Sequence, residues 1–320
     1  MKRRPLLLAA LLAAARPALA QTGWPNRPLR IIVPFAPGSF TDTGARLLGV
    51  ELTDILGQQV VVENRGGAGG TIGATAVVRS PPDGYTLLLT DNSLAMSVGL
   101  YPNLPYDPLR DLAQVSRIAD SPSILLARPG LGVKTVAELV NLAKAKPGEV
   151  TFGSGGQGSS AHLATEQLMS VAGIRMQHIP FRGVAAAQAE VIAERVDVVI
   201  SSIASGVPHV RQGTLTGLAV SGPHRSEQLP DIPTFIEAGF PGYDMSYWFG
   251  VAAPAATPPE IVTRLSQAIA EAARRPRLRD AYAAQSAEAV SSTPEEMRAH
   301  VAREIETWRT LIQRVGVRAE

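Results

Sequence analysis

The stretch LRIIVPF (Leu29–Phe35), followed by APGSFT (Ala36–Thr41) and a helical pattern from Asp42, decides the fold. It reads as a strand, a small-residue loop and a helix N-terminus. The construction returns about 120 residues later, where Val150–Gly153 breaks into Ser154–Ser160 and a helix begins near Ala161. A helix start presents unpaired N–H groups and the positive end of the helix dipole, so each unit favours an anion. Two such units in one chain suggest two lobes closing on one small negatively charged molecule.

Outward from these units, the pattern alternates β and α. Expected strands are Leu29–Phe35, Gln59–Glu63, Tyr85–Leu89, Ser123–Ala127, Val150–Gly153, Met176–Pro180, Val196–Ile200, Leu215–Val220 and Ser246–Ala252. Most are short continuous apolar runs of the kind buried on both faces of parallel sheets. Helical spacing lies between them, as at Leu48, Leu52 and Leu56, closed by Gly57. Thr135-Val-Ala-Glu138 is a capping box, and Thr293-Pro-Glu-Glu296 adds proline at the first helical position. The class is therefore α/β. Crossovers near Ser121–Pro122 and Ser221–Arg225 divide the chain into lobe 1 (21–124 and 223–320) and lobe 2 (125–222). The C-terminal helix, about Pro294–Val315, is expected to pack on lobe 1.

Residues 1–20 read as a signal peptide. Lys2, Arg3 and Arg4 form its charged start, Leu6–Ala15 is apolar but too short to span a bilayer, and Ala18-Leu-Ala20 is a cleavage site. Arg3-Arg4 leaves both the general secretory and the twin-arginine routes open. Removing Lys2, Arg3, Arg4 and Arg16 leaves 26 basic against 28 acidic residues, a net charge of −2. Nucleic acid and anionic membranes are not expected partners. The chain has no cysteine, which excludes disulfides, thiolate catalysis and cysteine metal sites.

Gly153-Ser-Gly155-Gly-Gln-Gly158 matches the GxGxxG dinucleotide fingerprint between a strand and a helix, so an oxidoreductase is one reading. The acidic ribose ligand expected about 20 residues on is missing from Met176–Phe181. Ser154, Ser159 and Ser160 lack a nucleophile-elbow frame and suit anion donors or helix caps. The five histidines are scattered without a metal-ligand motif. Asp42, in a first helical turn, reads as structural because its charge would repel an anion. Gly66-Gly-Ala-Gly-Gly70 reads as a connection or hinge, with ligand contact the alternative.

An ordered series of motifs then becomes specific. It runs through Pro34-Phe-x-Pro-Gly38, Thr41-Asp42, Val60-Val-Val-Glu-Asn-Arg65, Pro82-Asp-Gly-Tyr-Thr-Leu87 and Leu104-Pro-Tyr-Asp-Pro108. It continues with Gly153-Ser-x-Gly, His162-Leu-Ala, Leu229-Pro-Asp-x-Pro-Thr234 and Glu237-Ala-Gly-x-Pro-Gly242. The chain resembles the Bug or TctC-type solute receptors of tripartite tricarboxylate transporters. That resemblance implies a two-lobed, type II-like periplasmic binding protein fold with a Venus-flytrap cleft. It also implies a non-enzymatic, monomeric periplasmic receptor with no cofactor and no metal, which delivers a small organic anion, a carboxylate, to membrane permease subunits. A ligand sensor for a two-component system is the alternative role.

Carried over by motif, the resemblance points to Gly38, Ser39, Phe40 and Thr41 on one side of the cleft. Ser154, Gly158, Ser159, Ser160 and His162 lie on the other, with Asn92, Ser93, Arg182 and Ser202 as further candidates. The chain departs from the family at Ser39, where a second glycine is usual and which bulky Phe40 follows, at Ser159 in place of threonine, and at Ser201 in place of aspartate. Phe40 either enters the cleft, favouring a compact or aromatic carboxylate, or packs beneath its loop.

Overall fold

The computed structural model describes residues 23–243 and 245–318, so the expected signal peptide lies outside the described residues. Among the described residues, eleven strands form two sheets, and ten α-helices flank them. The first contains β1 (Leu29–Val33), β2 (Val60–Asn64), β3 (Thr86–Asp91), β4 (Leu112–Ser121), β10 (Tyr247–Pro254) and β11 (Glu288–Ala289), in the order β11-β4-β10-β3-β1-β2. The second contains β5 (Ser123–Ala127), β6 (Thr151–Ser154), β7 (Gln177–Pro180), β8 (Val198–Ser202) and β9 (Thr216–Val220), in the order β7-β6-β8-β5-β9. Each sheet with its helices forms one lobe, as expected of a two-lobed α/β fold.

The sheets share a plan that identity does not reveal. In each, one strand sits between two parallel partners: β1 between β2 and β3, and β6 between β7 and β8. An antiparallel strand from across the crossover then adds beside the triplet, β10 on β3 and β5 on β8. The sheets are thus mixed rather than parallel throughout. β1 feeds helix α1 (Phe40–Leu56) and β6 feeds the corresponding helix, α5 (Ser160–Ala172). The two glycine-serine loops therefore occupy equivalent places, at strand C-terminal ends where open α/β sheets hold ligands.

The remaining helices are α2 (Thr71–Val78), α3 (Ser93–Leu100), α4 (Val136–Ala145), α6 (Val184–Ile192), α7 (Ile203–Arg211), α8 (Pro259–Arg274), α9 (Pro276–Ala283) and α10 (Pro294–Val315). Helices α1, α8 and α9 cover the first sheet with Leu48, Leu52, Leu265, Ile269 and Tyr282. Helix α10 begins in the expected capping box of Thr293 and Glu296 and packs on α3 and β4. It also reaches α5, where Arg314 Nη1 donates to Ser170 Oγ. One apolar cluster runs without a break from Phe152 and Leu168 beside the second sheet to Met96, Trp248 and Trp308 beside the first.

The crossover is short. β4 ends at Ser121 and β5 begins at Ser123, with only Pro122 between. The return strand lies alongside: Ser123 N donates to Ser221 Oγ at 2.7 Å, Ser123 Oγ to Met245 O at 2.7 Å, and Ser221 Oγ lies 3.0 Å from Ser246 Oγ. Ser123 and Ser221 are fully buried, so these bonds answer polar groups that water does not reach. No helix among the described residues is long and apolar enough to cross a membrane.

Candidate functional site

Helix α5 starts on the second-lobe loop. Ser159 is its N-cap, with extended backbone and a hydroxyl accepting from His162 N. Gly158, at φ +72°, takes the left-handed turn that glycine tolerates best, and its N–H donates to His162 Nδ1 at 3.0 Å. That bond requires a lone pair on Nδ1, so the ring proton sits on Nε2, which faces Glu166 Oε1 at 3.5 Å. His162 stacks on His178 with centroids 3.9 Å apart, and Phe152 stacks on His178 in turn. Burial and the neighbouring His162 push the His178 pKa down to about 4. His178 Nε2 meets Ser154 Oγ at 2.6 Å, and Ser154 Oγ accepts from Gly156 N. Two neutral imidazoles thus support the loop from behind. Among the described residues, no capping bond reaches the N–H groups of Ser160 or Ala161 at the helix start.

Helix α1 starts the same way with a different charge. Ser39 is the N-cap, accepting from Asp42 N, and Gly38, at φ +89°, donates its N–H to Asp42 Oδ2 at 3.0 Å. The buried Asp42 also accepts from Asn64 and pairs with Arg46 at 2.8 Å. Burial raises its pKa, but the bonds from Arg46, Gly38 and Asn64 outweigh that effect and hold it below the usual value. An internal carboxylate already answers the positive end of this helix.

Helix α3 follows the same rule. Asp91, at the end of β3, accepts from Ser93 N at 2.9 Å and lies 3.4 Å from Thr41 Oγ1. Burial pushes its pKa up against the opposing bonds from Ser93 and Thr41, and it raises that of the neighbouring Tyr247. Sequence reading missed Asp91, because a carboxylate ending a strand looks like ordinary punctuation.

A cavity of about 340 Å³ lies between α3 and the start of α5. Its polar wall is Ser93, Ser97, Gln157, Gly158, Ser159 and Ser160; its apolar wall is Phe35, Met96, Leu100 and Tyr101, with Gly69 beside them. The volume falls at the lower end of the range for small-molecule pockets, roughly 300–1,000 Å³. Among the described residues, none of the cavity walls is lysine, arginine or histidine. Gly69 comes from the third glycine-rich stretch, and a Cβ there would meet Tyr101 Oη at 2.9 Å. That stretch therefore touches the cavity rather than serving only as a connection.

Of the residues singled out in the sequence, Ser93, Gly158, Ser159 and Ser160 line this cavity. The others do not. Phe40 turns its ring onto Phe249 and Tyr282, with centroids 4.3 and 5.5 Å away, so it packs beneath its loop. Gly38, Ser39 and Thr41 form the cap of α1. Asn92 is buried, donating to Ser246 O and Glu304 and accepting from Trp248 N, which ties α3 to the return crossover. Ser154 and His162 hold the second loop from behind. Ser202 caps α7 beside Ser205. Arg182 is exposed on the turn after β7, next to the Gly155–Gly156 loop. The residues that sequence reading missed, Phe35, Met96, Leu100 and Tyr101, look like core in a string. Only the Met96–Leu100 spacing of four, just past a strand end, hints at one helix face turned to the cleft.

The glycines of the dinucleotide-like run have packing roles. A Cβ on Gly153 would meet Ala187 of α6 at 3.0 Å, and one on Gly155 would meet Val184 N at 3.1 Å. They let α6 lie close against β6.

The family model for the tripartite tricarboxylate transporter family receptor matches residues 45–317. The chain is 40% identical over 306 residues to Protein BugT of Bordetella pertussis, covering 95% of this chain and 94% of the relative. Among solved structures, R. palustris Rpa4515 with adipate superposes with a TM-score of 0.79 at 33% identity, covering 92% of this chain and 99% of that one. MatC from Rhodopseudomonas palustris with bound malate gives 0.75 at 30% identity, covering 90% and 99%.

Proposed function

The chain belongs to the tripartite tricarboxylate transporter receptor family, whose members are substrate-binding receptors and not enzymes, and from that premise we propose that it captures a small organic carboxylate between its lobes. It does so in the periplasm, after loss of residues 1–20, and hands the ligand to the permease subunits of a tripartite tricarboxylate transporter. The lobes are 21–124 with 223–320, and 125–222, and the receptor acts as a monomer. Ser93, Gly158, Ser159 and Ser160 are the contacts. Gly38–Thr41, Asn92, Ser154, His162 and Ser202 shape the two sides of the cleft, and Arg182 adds a positive field at its rim.

The observation that carries this reading is the cavity at the capped start of α5. It offers free N–H groups, hydroxyls and the positive helix end, and these suit a carboxylate without a metal or an ion pair. Adipate and malate, found in two structural neighbours, are carboxylates too. A ligand that touches both walls binds the closed form better than the open one, which is what closure requires.

The test is thermal unfolding of the purified protein against carboxylates, amino acids, sugars and NAD. A ligand at 100 times its dissociation constant adds about 2.7 kcal/mol, a shift of a few degrees in a chain of this size. Stabilisation confined to carboxylates supports the receptor reading; stabilisation by NAD alone, or by neutral solutes alone, overturns it.

A further inference from the structure

Two helices face each other across the cavity, α3 in the first sheet's layer and the start of α5 in the second's, and they touch there. Ser160 Oγ lies 3.9 Å from the Met96 sulfur, and a Cβ on Gly158 would meet Leu100 Cδ2 at 3.0 Å. A third helix, α10, packs on both of them from outside the cavity. Its two contacts differ in kind.

The hold on α3 is firm. Glu304 Oε2 accepts from Asn92 Nδ2, Trp248 Nε1 and Trp308 Nε1, which ties α10 to the residue before α3 and to the start of β10. Further along, a Cβ on Gly99 would meet Ile312 Cδ1 at 2.8 Å and Arg309 Cα at 3.4 Å, so glycine lets α3 lie close against α10. The hold on α5 is lighter. Arg314, in the last turn of α10, donates from Nη1 to Ser170 Oγ in the last turn of α5, and both residues are exposed. From Ser160 to Ser170 the axis of α5 runs about 15 Å, so this bond lies well away from the ligand seat.

A bond made only when the lobes are together stabilises the closed form and leaves the open form as it was. At the surface such a bond is weak enough to break and remake. Apparent affinity scales with the fraction of molecules in the binding-competent form, so a contact outside the cavity changes affinity through that fraction.

We propose that α10 is a third link between the lobes, beside the two crossovers, and that Arg314 and Ser170 are positioning residues. They set the balance of open and closed forms, and through it the affinity, without touching the ligand. This goes beyond the receptor reading; only its consequence for affinity rests on that reading.

The chain has no cysteine, so spin labels attach only where one is introduced. Val50→Cys on α1 and Lys144→Cys on α4, both exposed, place one label in each lobe. The test is the distribution of label-to-label distances by pulsed electron resonance, with no ligand added, after unfolding and refolding to release any that was carried through purification. Arg314→Ala and Ser170→Ala should each move the closed-to-open ratio at least twofold toward open. The double variant should move it no further than either single one, because the two side chains form one contact. Ser170→Glu, which offers Arg314 an ion pair, should move the ratio the other way, and 1 M salt should remove that gain. Distributions that match the parent in all the variants overturn the proposal. So does a shift toward open in Ser170→Glu, or alanine effects that add in the double variant. The labels report without a ligand, so a carboxylate panel that finds no binding would overturn the receptor reading and leave this inference standing.

Discussion

Gly38-Ser-Phe-Thr-Asp42 and Gly158-Ser-Ser-Ala-His162 are five-residue segments at equivalent places in the two sheets, and they fold alike. Each has a glycine in the left-handed region, then a serine cap with φ near −65° and ψ near 160°. In each, the residue three beyond the cap reaches back to the glycine N–H. The difference is confined to that last residue. A carboxylate there answers the helix dipole from within, whereas a neutral imidazole completes the same hydrogen bond and leaves the dipole unanswered. Under the proposed function, one backbone device serves as a structural cap in the first lobe and as an anion seat in the second. Charge at one side chain, not loop shape, separates the two uses.

The sharpest way to break that contrast is to erase it. His162→Asp gives α5 the arrangement of α1, with a carboxylate beside the seat. Repulsion between like charges about 5 Å apart, at an effective dielectric near 20, is about 3 kcal/mol. Carboxylate affinity measured by calorimetry should fall more than a hundredfold, while circular dichroism stays native. An affinity within threefold of the parent would show that the residue three beyond the cap does not govern the seat.

The converse change acts on stability. Asp42→Ala removes the acceptor for Gly38 and Asn64 and the partner of Arg46, and bonds to a buried charge contribute about 1.5–3 kcal/mol. Chemical denaturation should show a loss of about 2–3 kcal/mol, with ligand affinity changed less than threefold.

Acid should separate the two lobes next. His178 has a folded pKa near 4 against an ordinary 6.5, so the unfolded chain binds the proton more readily in that interval. Stability from burying it neutral is present above pH 6.5 and is lost as pH falls toward 4. Asp42 has its pKa depressed below 3.8, so its contribution is complete above that value and is lost only at lower pH. His178→Gln should flatten the stability profile between pH 6.5 and 4 and leave the more acidic limb unchanged. An unaltered profile would assign that slope elsewhere, His300 being the other histidine pushed down to about 4.

The smallest effect compares the caps themselves. Ser39→Ala and Ser159→Ala should each destabilise by about 1 kcal/mol. Only Ser159→Ala should also weaken carboxylate binding, by several-fold in the same titration. Equal effects on binding would make the seat two-sided.

The loop-helix units are legible in sequence because glycine and serine at a strand end have few other uses. The Thr293 capping box and the strand at Ser123–Ala127 are legible for the same reason, since each depends on neighbours in the chain. β4 is not legible. Its sequence LAQVSRIADS mixes polar residues into an apolar run, and Gln114 Nε2 and Ser116 Oγ find their partners, Pro108 O and the Ser292 N–H, only after folding. β11, two residues long, exists only as a partner to β4. The cavity wall is illegible for a related reason. Met96, Leu100 and Phe35 differ from core residues only in what stands opposite them, and a string does not record that. The direction of the Phe40 ring depends likewise on Phe249 and Tyr282, more than 200 residues away.

The placement of β10 sets an order of assembly. It lies between β3 and β4, yet it follows the whole second sheet in the chain. Until residues 247–254 have emerged, β3 and β4 cannot be joined and each keeps an open edge. The second sheet, complete within residues 123–220, can form while its host waits. Pairings that span so much chain are slow, because the loop must close before the contact is gained. Closing the first sheet therefore requires insertion of one strand into a gap held for it, and a chain halted before Tyr247 would leave the β3 edge and the whole of β4 unpaired, ready to pair with another copy.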